Sequence, residues 1–228
     1  MANFFKNTTQ APTDLQAIIV EAFKYNLQIA PDIFLTTICL FALLLQSPAF
    51  TALGGSLLTL TLFQTLLGRA LREIVPDTWK APNQLESTGM FPGMLPERIS
   101  LLGTDPKEGY SIPSYYTMFV GFLLGWMGPL QSVYAQELSA SPQRALASIL
   151  SLSFLSLFSV IALLYRFLAS QDTFFGIVVG VLSGGLLGAG IMYMISYLTA
   201  RRATNLYNLP LIGNVDSASK PIYICKSN

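Results

Sequence analysis

The side chains that could do chemistry in this chain fall into two short segments. Pro113-Ser114-Tyr115-Tyr116 opens one apolar run, and Tyr165-Arg166-Phe167-Leu168-Ala169-Ser170-Gln171-Asp172 precedes another, whose glycines begin at Gly176 and Gly180. No histidine occurs in the 228 residues, so the side chain most often used to move protons at neutral pH is missing. Tyr116, with an ordinary pKa near ~10, is a poor acid at that pH. Asp172 follows Arg166 closely, and a carboxylate so placed is expected to pair with the guanidinium rather than react. The two cysteines, Cys39 in an apolar run and Cys225 near the polar C-terminus, suit neither a bridge nor a metal set. No metal and no cofactor is expected.

Membrane helices must position these residues. The chain is 52% hydrophobic and only 11% charged, against about a quarter charged in soluble domains, and its mean hydropathy is +0.53. Thirteen basic and twelve acidic residues leave a net charge of +1, which excludes nucleic acid as a partner. No charged residue lies between Ile33 and Gly68. That run is too long for one span of about 20 residues. Gln46-Ser47-Pro48 breaks it, predicting a helical hairpin over 31–46 and 49–71. Ahead of it, Asp14 to Ile29 reads as an amphipathic helix: Leu15, Ile18, Ile19, Ala22, Phe23 and Ile29 are set against Asp14, Glu21 and Lys24.

Three further spans are predicted at 112–135, 145–168 and 174–199, with Ser141 capping the second of them and Pro142 in its first turn. Between the hairpin and these spans, 73–111 is a polar connection interrupted by Pro76, Pro82, Pro92, Pro96 and Pro106. A loop of that length is usually functional or docked on a partner. The expected architecture is an all-α polytopic transmembrane helix bundle of about five spans plus an N-terminal amphipathic helix. It forms one integral membrane domain over 1–228: polar N-terminus and amphipathic helix (1–30), hairpin (31–71), Pro/Gly-rich loop (72–111), three-helix part (112–199) and polar tail (200–228). The N-terminus shows no cleavable signal, so the helices themselves are expected to drive insertion. Asp, Glu, Lys and Arg are absent from the predicted spans except at their ends, which argues against an ion pump or proton-coupled carrier. Tyr115, Tyr116, Tyr134, Tyr165 and Tyr197 near span ends fit an interfacial belt.

In order, spacing and placement, the two segments resemble the signatures of the type 2 phosphatidic acid phosphatase superfamily. Those read Pro-Ser-Gly-His, and then Ser-Arg, five residues, His, three residues, Asp, with a Gly four further on. Laid over this chain without gaps, the arginine falls on Arg166 and the closing glycine on Gly180, while the two family histidines fall on Tyr116 and Asp172 and the family aspartate on Gly176. The family's first motif, Lys, six residues, Arg-Pro, has no counterpart, although Arg72, Lys80 and Ala81-Pro82 lie in that region. The resemblance covers 110–190 and implies that Ser114 and Arg166 are residual phosphate-site positions, close together on one membrane face. It also implies that the nucleophile, its orienting carboxylate and the acid have been replaced, leaving no catalytic residue.

Gly176, Gly180, Gly184 and Gly188 recur every fourth residue within one apolar span. Glycines so spaced make a flat ridge that lets another helix backbone approach closely, and Gly121 and Gly125 could supply part of the facing groove. The expected function is that of a non-catalytic structural membrane protein, a subunit or scaffold of a larger assembly in an organelle or virion membrane. Its partners are membrane lipids and other membrane-protein subunits. The alternatives are a pseudophosphatase holding a phospholipid head group near Ser114 and Arg166, and a residual lipid phosphatase.

Overall fold

A computed structural model describes residues 15–72, 74, 113–139, 142–168, 171–199, 201–207 and 209. Among them are helices α1 (Leu15–Leu45), α2 (Pro48–Arg72), α3 (Tyr115–Val133), α4 (Ala135–Ser139), α5 (Pro142–Leu168) and α6 (Phe174–Leu198), with a 3-10 turn at Arg202–Thr204 and no strand. The 73–111 connection apart from Ile74, the Ser141 cap, Cys225 and the tail beyond Leu209 lie outside the described residues.

Helix starts follow local chemistry. Pro48 and Pro142 occupy first-turn positions where the missing N–H costs nothing. The hydroxyls of Ser114 and Thr173 cap α3 and α6 by accepting from the Thr117 and Gly176 amides at 3.3 and 3.1 Å. α1 and α2 form a hairpin turned at Gln46, which takes a left-handed φ of 48°. The hairpin packs through Phe41 on Phe50, 5.7 Å between ring centroids, and through Gly54 beneath Ile38 and Cys39.

The amphipathic helix and the first span, expected as two elements, are one helix running through Pro31. Proline is tolerated there because flanking helices can re-satisfy the backbone group it frees. The amphipathic pattern itself falls largely on side chains outside the described set. The apolar part of α1, Ala30–Leu45, is shorter than a span. Among the described residues, three helical stretches are long and apolar enough to cross a membrane: Pro48–Gly68, Pro142–Leu168 and Phe174–Leu198. α3 is not among them. It is the helix most enclosed by protein, buried without interruption from Tyr115 to Leu123 and again at Trp126 and Leu130. Trp126 is fully buried and stacks on Phe122 at 5.9 Å, so it belongs to the core and not to a lipid-facing surface.

Lipid supplies no hydrophobic force between helices, so close contact must hold them together. The closest seam joins α3 and α6. A Cβ on Gly184 would collide with the Met118 carbonyl, and one on Gly188 with that of Phe122. From the other side, Cβ atoms on Gly121 and Gly125 would meet the carbonyls of Val181 and Gly185. On Gly180 the obstacle is the Thr117 side chain, and on Gly176 only its own cap, Thr173 Oγ1 at 3.2 Å. The backbone-to-backbone seam therefore runs from Gly184 to Gly188 on α6, extended by Gly180, whereas Gly176 is buried beside its cap. Such proximity adds dispersion and Cα–H···O contacts that larger side chains would forbid. Buried hydroxyls of α2 are satisfied within their own helix, Ser56 on the Ala52 carbonyl at 2.6 Å and Thr61 on that of Leu57 at 3.2 Å.

Two details depart from the sequence reading. α3 stops at Val133, and the short α4 turns the chain toward α5. The start of the polar tail is also ordered against the core. Tyr134, fully buried, donates to the Arg201 carbonyl at 2.7 Å and pairs with Thr204 Oγ1 at 2.6 Å, and Leu209 is buried. Asn205 closes the turn by bonding both backbone groups of Leu209. Burial pushes the Tyr134 phenol above its ordinary value, keeping it a neutral donor. Tyr134→Phe should therefore loosen residues 201–209 at a cost of about 1–2 kcal/mol. Trypsin should then cut at the exposed Arg201 and Arg202 faster than in the parent, and unchanged cleavage would mean that other contacts hold the segment.

Candidate functional site

Three helix ends meet at one end of the bundle. Arg166 lies in the last turn of α5, and its carbonyl accepts from the Gln171 amide at 2.9 Å and the Asp172 amide at 3.4 Å. This helix-terminating turn folds the chain back, so that Asp172 returns onto the side chain of Arg166. Arg166 Nε forms a short hydrogen-bonded ion pair with Asp172 Oδ2. Ser114 Oγ, at the start of α3, donates to the same oxygen at 3.2 Å and also contacts Thr117 Oγ1 at 3.0 Å. The Arg166 guanidinium carbon sits 4.7 Å from the centroid of the Tyr116 ring, in cation–π range. The Asp172 side chain is 2% exposed and that of Arg166 15%.

Ser114, Tyr116, Arg166 and Asp172 are thus brought together across three helices. Gly176 lies in the first turn of α6, the same helix whose Thr173 cap follows Asp172 directly. Gly180, Gly184 and Gly188 continue from there along the α3 seam and contribute no chemistry.

Neighbouring polar groups were not singled out from the sequence. Gln64 of α2 donates through Nε2 to the Pro113 carbonyl at 3.4 Å, tying α2 to the start of α3. Asp32 of α1 is buried and lies within electrostatic reach of Tyr115. Gln171 is buried as well. The Gln64 Oε1 and Tyr116 hydroxyl oxygens are enclosed without a hydrogen-bond partner. Gln64 was detectable as an amide inside an apolar helix, a placement that is costly and rarely idle. Asp32 carried a weaker signal as the last charge before the uncharged run.

Electrostatically this end favours negative charge. The N-termini of α3 and α6 present partial positive charge, and Arg166 adds a full one. Two carboxylates lie here, Asp172, engaged with Arg166, and Asp32, buried in α1. No group of three or more His, Cys, Asp or Glu that could hold a metal occurs among the described residues.

Fold and composition together define a class: the described residues are all-helical in their regular structure, with three helices among them long and apolar enough to cross a membrane. Compared with protein-family models, with curated proteins and with solved structures, the chain matches none.

Proposed function

We propose that this chain is a non-catalytic structural membrane protein, a subunit or scaffold within a larger membrane assembly. In this reading the apolar part of α1 and the enclosed α3 join the three longer helices as membrane-embedded elements, giving five. The reading takes the chain as a degenerate type 2 phosphatidic acid phosphatase, on the resemblance of its two segments to that family's signatures. The observation that carries the reading is the mutual engagement of its reactive side chains. Arg166 is spent on Asp172 and on the Tyr116 face, and Ser114 on the same carboxylate. With no histidine in the chain, nothing at this end is poised as both nucleophile and acid.

Extensive apolar surface supports a role in packing. α5 exposes Leu146, Ile149, Leu150, Phe154, Leu157 and Leu164, and α6 exposes Leu182 and Leu186. In a membrane these faces meet lipid or other subunits.

Purified protein in lipid nanodiscs should release no phosphate from phosphatidic acid or from pyrophosphate lipids. Turnover abolished by Arg166→Ala would overturn the non-catalytic reading. Crosslinking in the native membrane should join α5 or α6 to other membrane proteins, and recovery of the chain with lipid contacts alone would remove the scaffold role.

A further inference from the structure

We infer that the bundle end opposite the Arg166–Asp172 pair is a docking surface for anionic lipid head groups, built on Arg144, Arg201 and Arg202. Helices α5 and α6 are successive candidate spans, so the start of α5 and the chain leaving α6 lie at one end. The end of α3 joins them. Gln131 Nε2 donates to the Ser148 carbonyl of α5 at 2.8 Å, and the Tyr134 hydroxyl donates to the Arg201 carbonyl at 2.7 Å. Arg144 lies one turn before the buried Ser148 on the same face of α5, and so over this junction. Among the described residues this end carries three arginines and a single carboxylate, Glu137. Arg201 Nη1 donates to Glu137 Oε1 at 2.9 Å, yet the arginine side chain stays 48% exposed against 17% for the glutamate. Arg202 is exposed, and Arg144 is half-buried with no carboxylate partner among the described residues. The described charges at this end therefore sum to a positive face.

The backbone singles out Arg201. Its φ of 67° and ψ of −2° lie in the left-handed region, which glycine takes without steric cost and other residues seldom adopt. A long cationic side chain kept there points to a task beyond the helix end. The surroundings select lipid as the partner. Leu146 on α5 and Tyr197 and Leu198 on α6 are each more than half exposed, so the apolar faces of both spans begin within about one turn of the arginines. Guanidinium groups at the rim of such a band lie at head-group depth, with their stems along apolar surface. Anionic lipid is what a positive rim at that depth attracts. This inference shares with the function proposed above only the placement in a membrane, and it stands whether or not the chain has partner subunits.

The test places the purified full chain in nanodiscs of phosphatidylcholine and phosphatidylglycerol in equal amounts. The protein is then extracted into mild detergent, and the lipid it retains is measured by mass spectrometry. The parent should retain phosphatidylglycerol over phosphatidylcholine by roughly fivefold or more. Extraction in about 0.5 M salt should remove most of that preference. Arg144→Gln and Arg202→Gln should each lower it roughly threefold, and the double variant should show none. Replacing both arginines by lysine keeps the charge and should keep the preference. No preference in the parent, or one that survives unchanged in the double glutamine variant, overturns the proposal. An acidic membrane protein crosslinked at this end in native membranes, without any lipid preference in nanodiscs, overturns it in favour of a protein partner. If the double variant is not recovered folded, Arg144→Gln alone decides, because that side chain forms no hydrogen bond or ion pair among the described residues. An unchanged lipid preference in that variant overturns the proposal.

Discussion

Gly184→Leu is expected to force α3 and α6 apart and to abolish recovery of a monodisperse protein, a loss of about 3 kcal/mol or more. The position offers no room for relaxation, because the atom a Cβ would strike is the Met118 carbonyl oxygen, which belongs to backbone. A flexible side chain could turn aside, but a helix carbonyl moves only with its helix. Gly184→Ala should cost about 1–3 kcal/mol, more than the helix-propensity gain of up to about 1 kcal/mol returns. Gly190 is the internal control. Its Cβ would meet nothing within 4 Å, so Gly190→Ala should be neutral or slightly stabilising. Thermal unfolding in mild detergent with size-exclusion profiles checks the series. A Gly184→Leu protein that melts like the parent would rule out a backbone-to-backbone seam.

Arg166→Gln is expected to be the more damaging half of the ion pair to remove, at about 3–5 kcal/mol, because it strands a buried carboxylate. Asp172 is 2% exposed, whereas the Arg166 side chain keeps 15% exposure and the Tyr116 face. Asp172→Asn should therefore cost less, since the arginine retains some water and its aromatic partner. The double variant Arg166→Gln/Asp172→Asn should recover much of the loss, and a double-mutant cycle of unfolding free energies measures that coupling. A cost below about 1 kcal/mol for Arg166→Gln would mean that the pair behaves as an exposed one.

Several features were written locally. The low charge content and the uncharged run from Ile33 to Gly68 specify membrane helices because each helix closes its own backbone hydrogen bonds. Pro48, Pro142, Ser114 and Thr173 mark helix starts through contacts within one turn. The Arg166–Asp172 pair is legible for the same reason, since the end of α5 folds Asp172 back within a few residues. A glycine every fourth residue lies on one face of any helix, whatever surrounds it. What that face meets is a tertiary matter: the carbonyls of Met118 and Phe122 approach from a helix distant in the chain. Only the tertiary structure decided that α1 continues through Pro31, because neighbouring helices change what a proline costs. The same holds for the tail, which is polar in composition yet seated through Leu209 and the buried Tyr134 hydroxyl. Asp32, Gln64 and Gln171 come from three separate segments, and no local rule gathers them at one end. Short-range capping and periodicity act between residues a turn apart. The environment of a buried polar group depends on which distant helices close around it, and packing alone determines that.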